Sequence, residues 1–320
     1  MNSIEVQNLS KVYGSTTAIA DVNFTVETGE IIGFLGPNGA GKTTTMRILA
    51  GYLPATTGTA KIAGYDVHQQ SMEVRRRIGY LPENPPLYPE MTVEGFLHFV
   101  AKIKGVTARD RKKKVASVIE RCQLEDKSKV AIYKLSKGYR QRVGIAQAIV
   151  HEPRVIILDE PTVGLDPRQI IEVRNLIKSL AVEHTIILST HILPEVSMTC
   201  DRIMIINRGR IVITNSPDEL QKQLSGNYSY QLELAGNIAE LLPKLEAIPD
   251  VIDSKIITEN LNGNNRDVVE ITCNADSEPG NELATMIINQ GGSLYEMRRI
   301  RPSLEDVFLE LTTEEVISNE

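Results

Sequence analysis

Nine residues, GPNGAGKTT from Gly36 to Thr44, restrict the possible folds of this chain more than any other stretch. They match G-x-x-x-x-G-K-[ST] and stand between the apolar run IIGFLG and the helix-like KTTTMRILAGY. Strand, glycine-rich turn and helix in that order build a phosphate cradle. Glycines let the backbone wrap an anion so that successive N–H groups point inward. The helix that follows aims the positive end of its dipole at the same anion. Gly36, Pro37, Asn38, Gly39, Ala40, Gly41, Lys42, Thr43 and Thr44 are therefore candidate nucleotide-binding residues. Lys42 is expected to reach the β- and γ-phosphates, and the Thr43 hydroxyl to ligate Mg²⁺.

A cradle of this kind needs a sheet behind it. Val22, Phe24 and Val26 alternate with polar residues, while IIGFLG, VIILD (155–159) and TIILST (185–190) are continuous apolar runs suited to buried strands. Turn or helix patterns follow the last two, as in a parallel sheet with crossover helices. VIILDEP closes on two acids. Asp159 at the strand end can hold magnesium, usually through water. Glu160 points differently and can polarise an attacking water as general base; the alternative for the pair is a helix cap. His191 ends TIILST at the same edge, where a γ-phosphate contact is expected and a purely structural histidine is the alternative. Tyr13 closes the first strand, a position that an ordinary half-buried aromatic also fills.

The stretch IGYLPENPPLYPEMTVEGF, Ile78 to Phe96, runs from a short strand through four dispersed prolines into a helix that Thr92 caps. Prolines this dense hold a loop extended and remove backbone donors. Glu83 sits where the strand ends, which is where α/β proteins keep their chemistry. Further on, ARDRKKKVASVIERCQL places Val115, Val118, Ile119 and Cys122 on one helical face, with Thr107 and Asp110 at capping-box spacing. The basic run Arg109–Lys114 is expected to be a solvated helix end, with contact to acidic lipid heads as the alternative.

Composition changes near Leu224–Asn227, at SGN. YSYQLEL alternates as a strand, IAELLPKLEAI is helix-like despite Pro243, and VIDSKIIT and VVEITC flank the turn ENLNGNN. PGNELATMIINQGG and SLYEMRRI then read as helix and strand. That order, βαββαβ, suggests a small ferredoxin-like module, followed by a short helix PSLEDVFLELT with Ser303 and Asp306 at capping-box spacing. The expected domains are 1–224 and 225–320.

The segment KLSKGYRQRVGIAQAIVHEP, Lys134 to Pro153, decides among phosphate-loop proteins. It resembles the signature of ATP-binding cassette (ABC) proteins, usually LSGGQ-x-x-R and here LSKGYRQR. The ordered set fits that family over roughly residues 3–220: Tyr13, GPNGAGKTT, the loop at Glu83, LSKGYRQR, LDEP, VGLD with Asp166, and His191. The resemblance implies an α/β cassette with a RecA-like parallel core, an antiparallel β subdomain and a helical subdomain, joined to the ferredoxin-like module. It implies Tyr13 as the adenine-stacking aromatic and ATP with Mg²⁺ as ligands. It also implies head-to-tail pairing of two cassettes, in which Ser136, Lys137, Gly138 and Asp166 of one meet the ATP held by the other. A plain helix cap is the alternative for LSKGYRQR. Lys137 and Tyr139 depart from the usual glycine and glutamine, and Glu83 stands where the family carries glutamine. A carboxylate there can bind magnesium but cannot donate a hydrogen bond. These variations, with the C-terminal extension, resemble the ABC-2 type branch that serves multidrug, antibiotic-resistance and gliding-motility exporters.

The expected function is the ATPase subunit of a membrane ABC exporter, with transmembrane permease subunits on separate chains and a second ATPase subunit forming a homodimer. The alternative is an ATPase that energises or regulates a membrane machine without moving a solute. A net charge of −6 argues against a nucleic-acid partner. No apolar run approaches the roughly 20 residues that span a bilayer, and Cys122, Cys200 and Cys273 lack metal-ligand spacing. A cytoplasmic protein peripheral to the membrane is expected.

Overall fold

The alternating stretch Thr16–Glu27 and the buried runs Ile31–Leu35, Val155–Asp159 and Thr185–Thr190 fall into separate sheets in the computed structural model, which describes residues 2–224, 227–258, 266–274 and 277–300. The chain divides into two compact units, Met1–Pro217 and one beginning at Asp218.

In the first unit, β1 (Asn2–Tyr13) and β2 (Thr16–Glu27) pair antiparallel. β3 (Ile31–Leu35), buried at every residue, runs through the phosphate loop into α1 (Lys42–Leu49). β4 (Thr57–Ile62) and β5 (Tyr65–Asp66) complete a four-stranded antiparallel sheet in the order β2-β1-β4-β5. After α2 (Ser71–Arg77) and β6 (Ile78–Leu81) come three helices, α3 (Val93–Ile103), α4 (Ala108–Arg121) and α5 (Lys137–Ile149). The chain then alternates through β7 (Val155–Asp159), α6 (Pro167–Leu180), β8 (Thr185–Thr190), α7 (Leu193–Thr199), β9 (Arg202–Asn207) and β10 (Arg210–Asn215). The second sheet has the order β10-β9-β3-β8-β7-β6, parallel throughout except for β10.

α1 lies between the two sheets. Its Met46, Ile48 and Leu49 share one core with Val6 and Ile62 of the antiparallel sheet and Phe34, Ile157 and Ile187 of the parallel one. Each such side chain contributes about 1.5–3 kcal/mol by leaving water. The helix carrying the phosphate loop is thus clamped on both faces, which fixes the loop's position.

The three intervening helices start where their sequences provide caps. Thr92 Oγ1 accepts from Gly95 N–H at α3, and Thr107 Oγ1 accepts from Asp110 N–H at α4 while donating to Asp110 Oδ2 at 2.7 Å. The apolar stripe of α4, with Val115, Val118 and Ile119, is buried as its spacing predicts. Cys122, Cys200 and Cys273 are free and buried, and burial raises their thiol pKa values.

α8 (Pro217–Leu224) spans the point of division. Beyond it, β11 (Asn227–Ala235), α9 (Ile238–Glu246), β12 (Val251–Thr258), β13 (Asp267–Asn274), α10 (Gly280–Asn289) and β14 (Ser293–Ile300) follow in the βαββαβ order read from the sequence. The antiparallel sheet order β12-β13-β11-β14 places the first strand between the third and fourth, the ferredoxin-like arrangement. Leu232, Leu241, Val269, Ile271, Leu283 and Ile287 fill its core. The turn ENLNGNN and the helix expected at PSLEDVFLELT, with Ser303 and Asp306, lie outside the described residues. Among those residues no helix is long and apolar enough to cross a membrane.

Candidate functional site

Parallel strands end together, and β6, β7, β8 and β3 bring four chemically distinct segments to one edge. In register, Leu81 faces Leu158, Asp159 faces Ser189, and Thr190 faces Leu35. A cavity of about 340 Å³ opens there, lined by Asn38 to Thr44 of the phosphate loop together with Ala18, Glu83, Glu160, Val163 and His191.

The loop takes its shape from its glycines and from the core beneath. Gly41 has φ +106°, and a Cβ there would stand 2.6 Å from Ile19 Cγ2 and 2.7 Å from the Ala18 carbonyl oxygen, so no other residue fits. No side chain caps α1 at Gly41, which leaves the N–H groups of its first turn for a ligand. Lys42 is buried, and its ammonium donates to the Gly36 carbonyl at 2.7 Å and the Pro37 carbonyl at 3.1 Å.

Two acids leave β7 in different directions. Asp159 Oδ1 accepts from Ser189 Oγ at 2.5 Å and from Thr43 Oγ1 at 3.3 Å, while Oδ2 is buried without a partner. Burial raises the Asp159 pKa; the Ser189 and Thr43 hydrogen bonds oppose this, and the Glu83 charge reinforces it. Glu160 follows with φ +50°, a left-handed conformation held by its N–H donating to both the carbonyl and the hydroxyl of Ser189. That turn sends its carboxylate into the cavity, where Oε1 lies 3.4 Å from Lys42 Nζ and Oε2 lies 3.0 Å from His191 Nδ1. His191 is 40% exposed, open to a ligand on its other side.

The orphaned Asp159 oxygen and the neighbouring Thr43 hydroxyl suit a hard cation with oxygen ligands. No group of three or more His, Cys, Asp or Glu side chains that could hold a metal occurs among the described residues. A cation here would complete its shell with phosphate oxygens and water.

The remaining sequence candidates lie elsewhere in the unit. Tyr13 is 47% exposed at the end of β1, with the Lys11 ammonium 5.2 Å from its ring centroid, and it does not line the cavity. Ser136 caps α5, its Oγ accepting from Tyr139 N–H at 3.4 Å, and with Gly138 it borders a separate cavity of about 240 Å³. Lys137 reaches its own chain's Gly164, whose added Cβ would lie 2.1 Å from the ammonium nitrogen. Asp166 caps α6 by accepting from Gln169 N–H at 2.9 Å. Neither Ser136, Lys137, Gly138 nor Asp166 lines the phosphate cavity of its own chain.

Sequence reasoning missed Ser189, Thr162, Thr190 and Glu195. Glu195 is buried on α7, and its Oε2 accepts from Thr162 Oγ1 at 2.7 Å and Thr190 Oγ1 at 2.9 Å. The polar ending of TIILST was the signal for two of these residues; Glu195, in a stretch with no periodic pattern, offered none.

Comparison with known proteins agrees with the geometry. Residues 19–163 match the family described as ABC transporter, and residues 216–312 match the C-terminal domain described as ATP-binding protein DrrA1-3-like. The chain is 36% identical to the uncharacterized ABC transporter ATP-binding protein YhcH of Bacillus subtilis (strain 168), covering 97% of this chain and 96% of that one. It is 34% identical to the bacitracin transport ATP-binding protein BcrA of Bacillus licheniformis, covering 96% of each. Among solved structures, the dimeric post-hydrolysis state of the cassette MJ0796 bound to ADP and Pi is similar at a TM-score of 0.62 and 25% identity, over 67% of this chain and 98% of that one.

Proposed function

The chain belongs to the ABC transporter ATP-binding proteins, the ATPase subunits of such transporters, and from that premise we propose that it powers an exporter by binding and hydrolysing ATP between two copies of itself. The observation that carries this reading is the convergence of Lys42, Glu160 and His191 on one cavity beside the uncapped start of α1.

ATP enters with its phosphates against the loop Gly36–Thr44, and Lys42 leaves its loop carbonyls and Glu160 for the β- and γ-phosphates. Mg²⁺, held by Thr43 and Asp159 with Glu83 beside them, would neutralise charge on the phosphate oxygens. Glu160 takes a proton from water as the water oxygen bonds to the γ-phosphorus. The bond from that phosphorus to the β,γ-bridging oxygen breaks, and ADP and phosphate leave. His191 holds the Glu160 carboxylate and contacts the γ-phosphate. Tyr13 stacks on adenine from the end of β1.

Ser136, Lys137, Gly138 and Asp166 act across the dimer. Their absence from the phosphate cavity of their own chain supports this assignment, as does the similarity to the dimeric MJ0796. The second copy thereby becomes part of the site, so ATP holds the pair together and hydrolysis releases it. The kinship with BcrA, a bacitracin transport protein by its name, supports an exporter with separate permease subunits and a place on the cytoplasmic face of the membrane.

Co-expression with the neighbouring membrane genes, extraction in mild detergent and identification of the bound subunits by mass spectrometry tests the assignment. A protein that purifies alone and loses no ATP binding on Lys42→Ala substitution would overturn it.

A further inference from the structure

Glu195 has no place in the mechanism above, and its surroundings are unusual. It is a carboxylate 92% buried, with Oε2 accepting two threonine hydroxyls and Oε1 buried without a partner. Half of its accepting capacity is unmet inside the protein, a costly arrangement. Its neighbours Leu193 and Val196 on α7 are buried and apolar, so packing alone would be served by an apolar side chain.

The two hydroxyls come from informative places. Thr162 lies two residues beyond Glu160, and Thr190 lies immediately before His191. Because Glu160 and His191 touch at 3.0 Å, the contacts close a ring: Glu160, Thr162, Glu195, Thr190, His191 and back to Glu160. Glu195 is the only member outside the two strand-end segments. It does not line the nucleotide cavity.

We propose that Glu195 is a positioning residue for ATP hydrolysis: by holding the hydroxyls of Thr162 and Thr190 on one carboxylate oxygen, it fixes the segment after Glu160 against the segment before His191. The proposal rests on the reading of Glu160 as base and His191 as its partner. It predicts that the three-residue hydroxyl–carboxylate contact sets the rate of hydrolysis and leaves nucleotide affinity alone, because Glu195, Thr162 and Thr190 do not line the nucleotide cavity.

The test uses the full chain, with single-turnover hydrolysis and titration of a fluorescent ATP analogue. Glu195→Ala is expected to lower the hydrolysis rate about tenfold through misplacement of the pair, with the dissociation constant changed less than about twofold. Glu195→Gln keeps an acceptor oxygen and should restore most of the rate. Thr162→Val, nearly isosteric, should slow hydrolysis in the wild-type background and have little further effect on top of Glu195→Ala, as expected for two members of one network. Should Glu195→Ala fail to fold, Thr162→Val and Thr190→Val, singly and together, carry the test: each should slow hydrolysis, and the pair little more than either alone. Independent, multiplying effects overturn the proposal, as does a Glu195→Ala protein at the wild-type rate or an affinity loss as large as the rate loss. A Glu160→Gln control separates the two readings. If it hydrolyses ATP like wild type, the base assignment fails; if it is inactive while Glu195→Ala is fully active, only the positioning role fails.

Discussion

Lys42 Nζ stands 3.4 Å from Glu160 Oε1, with both side chains buried, so the proposed phosphate-binding group and the proposed base form one buried ion pair. On the proposed mechanism, a triphosphate entering the cavity would have to separate this pair.

Glu160→Gln removes one side of that pair. ATP should bind at least as tightly, because Lys42 no longer has an anion to abandon. Hydrolysis should fall by roughly 10²–10⁴, the usual contribution of a general base. The ATP-bound dimer should persist and elute early in size-exclusion chromatography. Wild-type turnover would dismiss Glu160 as base.

Glu83→Gln tests the acid that replaces the family's usual amide. Glu83 lines the phosphate cavity, and its charge helps keep the Asp159 pKa raised. Removing the charge should preserve ATP binding and shift the Mg²⁺ concentration for half-maximal ATPase activity by severalfold. An unchanged magnesium titration would make Glu83 a connector residue.

Gly164→Ala probes the contact between Lys137 and the loop before α6. The backbone at Gly164 has φ +67°, where a Cβ costs about 1–2 kcal/mol, and the new methyl would meet the Lys137 ammonium. Chemical denaturation should show a loss of about that size. Adding Lys137→Ala should return only the part due to the clash. Full recovery in the double variant would mean that backbone strain contributes nothing.

His151 gives the fold an acid-side weakness. Its Nε2 lies 2.9 Å from the Ile78 carbonyl, and its Nδ1 is buried without a partner. Burial, reinforced by the Lys104 charge, pushes its pKa down from 6.5 to about 4, so the folded state holds a neutral imidazole. Between those values the unfolded chain binds a proton that the folded chain refuses. The stability tied to this site is therefore complete above about pH 6.5 and is lost as pH falls towards 4, a total of about 3 kcal/mol. Melting curves from pH 7 to 4.5 should show the decline, and His151→Gln should remove about one proton from its slope. An unchanged slope would relieve His151 of the effect.

The features written into local chain order were legible before any coordinates. IIGFLG, VIILD and TIILST are buried strands because nothing polar interrupts them, and GPNGAGKTT sits between strand and helix because Gly41 admits no substitute. The βαββαβ order of the second unit was equally readable, although which strands neighbour one another depends on long-range pairing that no local period records. Around the cavity, the phosphate-loop residues and the acids and histidine at the strand ends were legible in the sequence, while the supporting hydroxyls and Glu195 were not. Ser189, Thr162, Thr190 and Glu195 meet across two strand ends and a helix, and an isolated polar residue closing an apolar run looks the same whether it faces solvent or a carboxylate.

Glu83 borders two cavities at once. On one side is the phosphate cavity, and on the other a space of about 440 Å³ walled also by Pro85, Tyr133 and Lys137. A partition common to two rooms has a single position. If a permease segment fills the second space, whatever moves Glu83 there redraws the boundary of the first, and the sense of the message is not fixed in advance. On the proposed function, a partner in the second space and a nucleotide in the first would then meet through one shared side chain, Glu83.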